Sequence, residues 1–108
     1  MKFAQVVAIV RPERLPEIEE RLKDLNVPGL SVSRAKGFGD YADFYKRDWM
    51  VGHVRIEVFI GADRAEAIAE AIVEAAHTGL DGDGLVAISP VSHVWHIRTR
   101  RKCGGDAC

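Results

Sequence analysis

Two stretches of helical period, each entered from one strand-like apolar run and left into another, constrain this chain more than any other feature. Residues Lys2 to Val10 are rich in β-branched and apolar side chains, the make-up of a buried strand. Pro12 follows, where the first turn of a helix accepts proline. Leu15, Ile18, Leu22 and Leu25 then recur at helical spacing, with charged residues between them. Pro28-Gly29 is expected to stop this helix. Leu30 to Lys36 alternates as a strand does, and His53 to Ile60 reads as another. Asp63, with Glu66 three residues later, resembles a capping box at the head of a second helix. Ala65, Ile68, Ala69, Ile72, Val73 and Ala76 form its apolar stripe, which ends at Thr78-Gly79. Two short strands, Leu85 to Ser89 and Ser92 to Arg98, are expected on either side of Pro90.

The order β-α-β-β-α-β predicts an α+β fold, the ferredoxin-like βαββαβ sandwich with a short extra C-terminal strand. Such a sheet carries helices on one face only, so the apolar residues of the other face need a cover. In a chain of 108 residues, self-association is the simplest source of one. The main domain is expected over residues 1–99 and a flexible polar tail over 100–108. With 47% hydrophobic and 29% charged residues, the composition is that of a globular domain and excludes disordered and fibrous classes. A formal net charge of -1 supplies no field to draw the chain onto nucleic acid or anionic lipid. No apolar run approaches the roughly 20 residues a membrane-spanning helix needs. The chain enters its first strand directly from Met1, without the layout of a signal peptide, so a cytoplasmic location is expected.

Three segments have the composition of a ligand site. Thr78-Gly79-Leu80-Asp81-Gly82-Asp83-Gly84 holds three glycines between a helix end and a strand, which frees the backbone to approach a ligand and to turn N–H groups toward an anion. The same composition also serves a plain helix-to-strand turn. Gly37-Phe38-Gly39 closes the second strand and opens a segment over 40–52 that fits no period and carries Tyr41, Phe44, Tyr45 and Trp49 among charged residues. This reads as a long functional loop. His96, Arg98 and Arg100 alternate near the end of the last strand, which would set them on one face, where Arg98 could clamp a phosphate. A charged edge strand gives the same pattern. His53, His77, His93 and His96 have no metal-ligand spacing, and Cys103 and Cys108, both in the terminal segment, lack a second pair. No metal site and no nucleophilic constellation are expected.

Together these segments resemble the PII signal-transduction family. The likeness runs from Ile9-Val10-Arg11-Pro12 through Gly29-Leu30-Ser31-Val32-Ser33, Lys36-Gly37-Phe38-Gly39 and Val54-Arg55-Ile56-Glu57. It continues to the turn at 78–84, the family's B-loop, and to His96-Ile97-Arg98-Thr99. The resemblance implies a homotrimer that binds ATP or ADP in three clefts between subunits and reports through the 40–52 loop to a target protein. It implies regulation without turnover and no required cofactor. By position, Ile9, Gly37, Phe38, Gly39, Gly82, Asp83, Gly84, His96 and Arg98 would line the cleft from one subunit. Gly29, Leu30, Ser31, Glu57 and Phe59 would contribute from its neighbour, around the adenine.

The departures from the family pattern narrow the expectation. The lysine that closes the family's B-loop is Leu85 here, which favours ADP or AMP over Mg-ATP. The first basic residue of the family's Arg-Ile-Arg is His96, a weaker and pH-dependent charge. After Gly39 the family's Arg-Gln is Asp40-Tyr41, and its modified tyrosine aligns with Trp49, which cannot be uridylylated. These features are similar to the PII-like branch of inorganic-carbon metabolism, the carboxysome- and bicarbonate-transporter-associated members. They imply bicarbonate as a second ligand and a transporter or other protein as the target. Cys103-Gly104-Gly105-Asp106-Ala107-Cys108 is similar to that branch's tail, where the two cysteines form a redox pair; idle thiols on a ragged terminus are the alternative. A nitrogen-regulatory paralogue, a metal-tolerance-related trimer, a slow nucleotide hydrolase and a redox protein stay open as other readings.

Overall fold

The computed structural model describes residues 2–37 and 51–104. A first strand, β1 (Phe3–Val10), leads through a 3-10 turn at Pro12–Arg14 into helix α1 (Leu15–Asp24). Strand β2 (Ser31–Gly37) and strand β3 (Val51–Gly61) follow, then helix α2 (Ala62–Ala76) and strand β4 (Gly84–Val91). The sheet order is β2-β3-β1-β4, and every neighbouring pair is antiparallel. This is the ferredoxin-like α+β arrangement predicted from the order of elements. The extra C-terminal strand is a separate hairpin of β5 (Trp95–His96) and β6 (Arg101–Lys102).

The alternation in β1 sets which face is dry. Ala4, Val6, Ala8 and Val10 are buried, whereas Gln5, Val7 and Ile9 between them are half-buried. Ile56, Val58 and Ile60 of β3 share the dry face, where Ile18 and Leu22 of α1 meet Ile68 and Ile72 of α2. Every one of these is essentially inaccessible to water.

Two helix ends differ from the expected ones. Helix α1 ends at Asp24, before Pro28-Gly29, because Asn26 takes a left-handed conformation at φ 59°. The Val27 N–H then bonds the Leu22 carbonyl at 3.0 Å and the Asn26 N–H bonds the Lys23 carbonyl at 2.9 Å. That is a Schellman stop, which satisfies the last carbonyls without help from the proline. Helix α2 begins after Gly61, and no side chain caps it, so the Asp63–Glu66 capping box does not form. The Ala62 N–H instead donates to the Lys2 carbonyl at 2.8 Å, so the entering backbone is tied to the sheet.

The helices also secure each other's C-termini. Arg14, just before α1, donates from Nε and Nη2 to the Ala75 carbonyl in the last turn of α2, at 2.9 and 2.7 Å. Arg64, in the first turn of α2, donates from Nη2 to the Leu25 carbonyl at the end of α1. Each guanidinium meets the negative end of the opposite helix dipole.

Candidate functional site

The site is built where β1 ends. Val10 is the last residue of that strand and pairs with Val54 on one side and Gly84 on the other. Pro12 has no N–H to continue a ladder, and the chain turns away into α1. The glycine turn before β4 crosses into the space so vacated. Gly82 and Gly84 have φ of 91° and 102°, a region that L side chains rarely adopt. At Gly84 the requirement is also steric, since a Cβ there would lie 1.7 Å from the Ile9 carbonyl oxygen.

Asp83 holds the turn in shape. Its Oδ2 accepts from the N–H groups of Thr78 and Gly79, both at 2.9 Å. Its Oδ1 accepts from the Thr78 hydroxyl and, at 3.0 Å, from Arg11 Nε. Arg11 Nη2 also donates to the Asp81 carbonyl at 2.5 Å. Burial on its own raises the Asp83 pKa, but the Thr78, Arg11 and Gly79 donors outweigh it and hold the carboxyl far below the usual carboxylate range. The carboxylate is therefore occupied inside the turn. Under the turn, Val10, Val73, Ala76 and Val86 line a small apolar cleft of about 210 Å³ with His77, Asp83, Gly84 and Leu85.

A second support comes from β3. His53 is only 3% exposed, and its Nε2 lies 2.9 Å from the Gly82 carbonyl oxygen. A carbonyl can only accept, so Nε2 carries the proton in this contact. His53 and Arg11 escape a reading of the sequence as site residues. The one clue to Arg11 is its place directly before Pro12; His53 has no metal spacing and its partner is a backbone atom 29 residues on.

The remaining residues fall into groups along the sheet. Ile9 pairs with Arg55 and Leu85, beside the glycine turn. Ser31 pairs with Glu57, while Gly37 pairs with Val51 at the other end of β2. Glu57 forms an ion pair with Arg55 on its own strand. Leu30 packs on the edge of the core, Gly29 and Ser31 are exposed, and Phe59 is 50% exposed on the sheet face that bears no helix. Phe38 and Gly39, and residues 40–50 of the expected 40–52 loop, lie outside the described residues, whereas Val51 and Gly52 already belong to β3, paired with Gly37 and Lys36.

The basic segment departs from expectation. Ser92 to Arg98 is not one strand: only Trp95–His96 is extended, and residues 97–100 form a turn with Arg100 left-handed at φ 60°. His96, Arg98 and Arg100 therefore do not alternate along one face, because the chain reverses between them. His96 pairs with Arg101 and Trp95 with Lys102, whose Nζ lies 5.2 Å from the Trp95 ring centroid. This pairing carries order across the boundary expected at residue 99. His96, Arg98, Arg101 and Lys102 line a cleft of about 480 Å³ that also includes Thr99, Cys103 and Gly104. The His96 Nδ1 is buried there with no hydrogen-bond partner among the described residues. This cleft and the one under the glycine turn share no residue within the chain. Cys103 donates its N–H to the Val94 carbonyl at 2.7 Å and is disulfide-bonded. The sequence's other cysteine, Cys108, lies outside the described residues. Among the described residues no three His, Cys, Asp or Glu side chains come together as metal ligands, and no helix is long and apolar enough to cross a membrane.

Known proteins share this organisation. The chain is 39% identical to a nitrogen regulatory protein P-II of Azospirillum brasilense, over 95% of this chain and 97% of that protein. It is 40% identical to the corresponding protein of Cereibacter sphaeroides, again over 95% and 97%. A P-II homologue of Oryza sativa subsp. japonica is 35% identical over 91% of this chain, which spans 50% of that longer protein. A crystal structure of Arabidopsis thaliana PII bound to citrate superposes with a TM-score of 0.82 at 35% identity, covering 94% of this chain and 89% of that one. The family described as nitrogen regulatory protein P-II matches residues 3–101. With its split β-α-β sheet, its Asp83-locked glycine turn and these likenesses in sequence and structure, the chain belongs to the P-II family.

Proposed function

We propose that this P-II family member is a regulatory binding protein, without turnover, that takes an adenine nucleotide in clefts between the subunits of a homotrimer. The carrying observation is the glycine turn. Its Asp83 carboxylate is paired with Arg11 and hydrogen-bonded by Thr78, and its Gly82 and Asp83 N–H groups form no hydrogen bond among the described residues. Such a turn offers donors to phosphate without competition from the Asp83 carboxylate. Leu85, in place of a lysine, removes a cation from the terminal phosphates, so ADP and AMP are favoured over Mg-ATP. Val7, Ile9, Phe59 and Leu85 give the helix-free face of the sheet an apolar character suited to covering by other copies of the chain. The cover would bring Gly29, Leu30, Ser31, Glu57 and Phe59 of one subunit toward the turn, Arg98 and His96 of its neighbour.

The nucleotide state is passed to a target protein or transporter through the 40–52 loop. The departures at Asp40-Tyr41 and Trp49 favour inorganic-carbon over nitrogen signalling, with bicarbonate as a second ligand and the cytoplasm as the site of action. The disulfide at Cys103 supports a redox-responsive tail. Titration calorimetry with AMP, ADP and ATP, each with and without bicarbonate, tests the reading. ADP and AMP are expected to bind more tightly than Mg-ATP, with an affinity that changes when bicarbonate is added. Absence of binding by all three nucleotides would overturn the proposal.

A further inference from the structure

We propose that His53 is the positioning residue of the glycine turn: its Nε2–H, donated to the Gly82 carbonyl, sets the 82–83 peptide so that the Asp83 N–H faces outward as a phosphate donor. The inference rests on the reading that this turn receives the phosphates of a nucleotide.

The geometry requires little beyond the peptide plane. In a trans peptide the carbonyl and the following N–H point in opposite directions, and the described residues contain no cis peptide bond. The Gly82 carbonyl is turned toward His53, at 2.9 Å. The N–H of the same peptide unit, that of Asp83, therefore points away from His53, and it has no hydrogen-bond partner among the described residues. The Asp83 carboxylate does not fix this orientation, because its bonds among the described residues run to Thr78, Gly79 and Arg11. Gly82 also has no Cβ to resist rotation of that plane. Without a donor beneath it, the peptide is free to flip and turn a carbonyl, which repels phosphate, to the outside. His53 suits the task because it is 3% exposed, so water cannot replace it as the donor. It stands at the start of β3, opposite Ala35 of β2, on the sheet segment that extends past the end of β1.

The test uses the full chain with ADP and adenosine as probes. His53→Leu is expected to weaken ADP about tenfold, the loss of one hydrogen bond of ordinary net strength, and to leave adenosine affinity unchanged. His53→Gln, whose amide nitrogen reaches about where Nε2 stands, should recover most of that loss. In the wild-type protein, the Asp83 amide resonance should move downfield when ADP is added, a readout that needs no variant to fold. Wild-type affinity for ADP in His53→Leu, equal weakening of ADP and adenosine, or an unmoved Asp83 amide in the ADP complex would overturn the role of His53. Failure of the wild type to bind any adenine nucleotide would instead overturn the reading on which it rests.

Discussion

Gly84 and Asp83 do opposite things at neighbouring positions. Gly84 permits contact, since its missing Cβ and its φ of 102° let β4 lie against the Ile9 carbonyl. Gly84→Ala should therefore cost about 3 kcal/mol from strain and overpacking combined. Urea unfolding would read the loss as a lower midpoint at unchanged slope, and an unshifted midpoint would contradict the close approach. Asp83 supplies order, and its worth depends on pH. Its carboxyl is held below the ordinary value in the folded chain, so its contribution is present above the unfolded pKa near about 4 and fades as pH falls through and below it. Stability should show a loss on acidification below about pH 4 that Asp83→Asn lacks. Parallel acid profiles for the two proteins would show the expectation wrong.

Helices α1 and α2 are held as an antiparallel pair by more than the Ile18, Leu22, Ile68 and Ile72 contact. Arg14 and Arg64 each close the C-terminal end of the other helix, which makes the two caps a reciprocal device. Arg14→Ala leaves the Ala75 carbonyl without its partners and should cost about 1–2 kcal/mol. Arg64→Ala should cost a similar amount. The two caps sit at opposite ends of the pair and share no partner, so the losses should add in the double variant. A thermal-unfolding cycle measures this, and a double variant no worse than either single one would refute separate caps. The hairpin of β5 and β6 is a different kind of element. Its two-residue strands are steadied by the Trp95–Lys102 contact, the Cys103 N–H bond to Val94 and the disulfide at Cys103.

The molecule as a whole has one dry face and one face that its own helices leave uncovered. Val7, Ile9, Phe59 and Leu85 lie on the latter, with Ile9 and Leu85 paired directly beside the glycine turn. If copies of the chain cover that face, assembly and nucleotide binding are a single event. Val7→Asp would bury a charge without a partner and is expected to yield monomers whose ADP affinity falls at least about tenfold. Sedimentation velocity with parallel calorimetry decides it. A Val7→Asp protein that is still trimeric, or a monomer that binds ADP as well as the wild type, would break the link between the uncovered face and the site.

The order of elements, the alternation in β1 and the stripe of α2 were readable from residue types, because burial on one face imposes a period that side-chain chemistry records. The glycine turn was readable as a segment for the same kind of reason, since positive φ and close approach leave glycine as a local signature. The ends of helices were less so: Asn26 stops α1 ahead of a more conspicuous Pro28-Gly29, and the Ala62 N–H finds the Lys2 carbonyl in place of a side-chain cap. The chain reversal at residues 97–100 likewise breaks an alternation that residue types alone imply. The supports of the turn lay beyond local pattern altogether. Arg11 meets Asp83 across 72 positions and His53 meets Gly82 across 29, and such pairings exist only once β3, β1 and β4 are side by side. A period reports which way a residue faces, whereas a contact between distant residues depends on how the sheet closes.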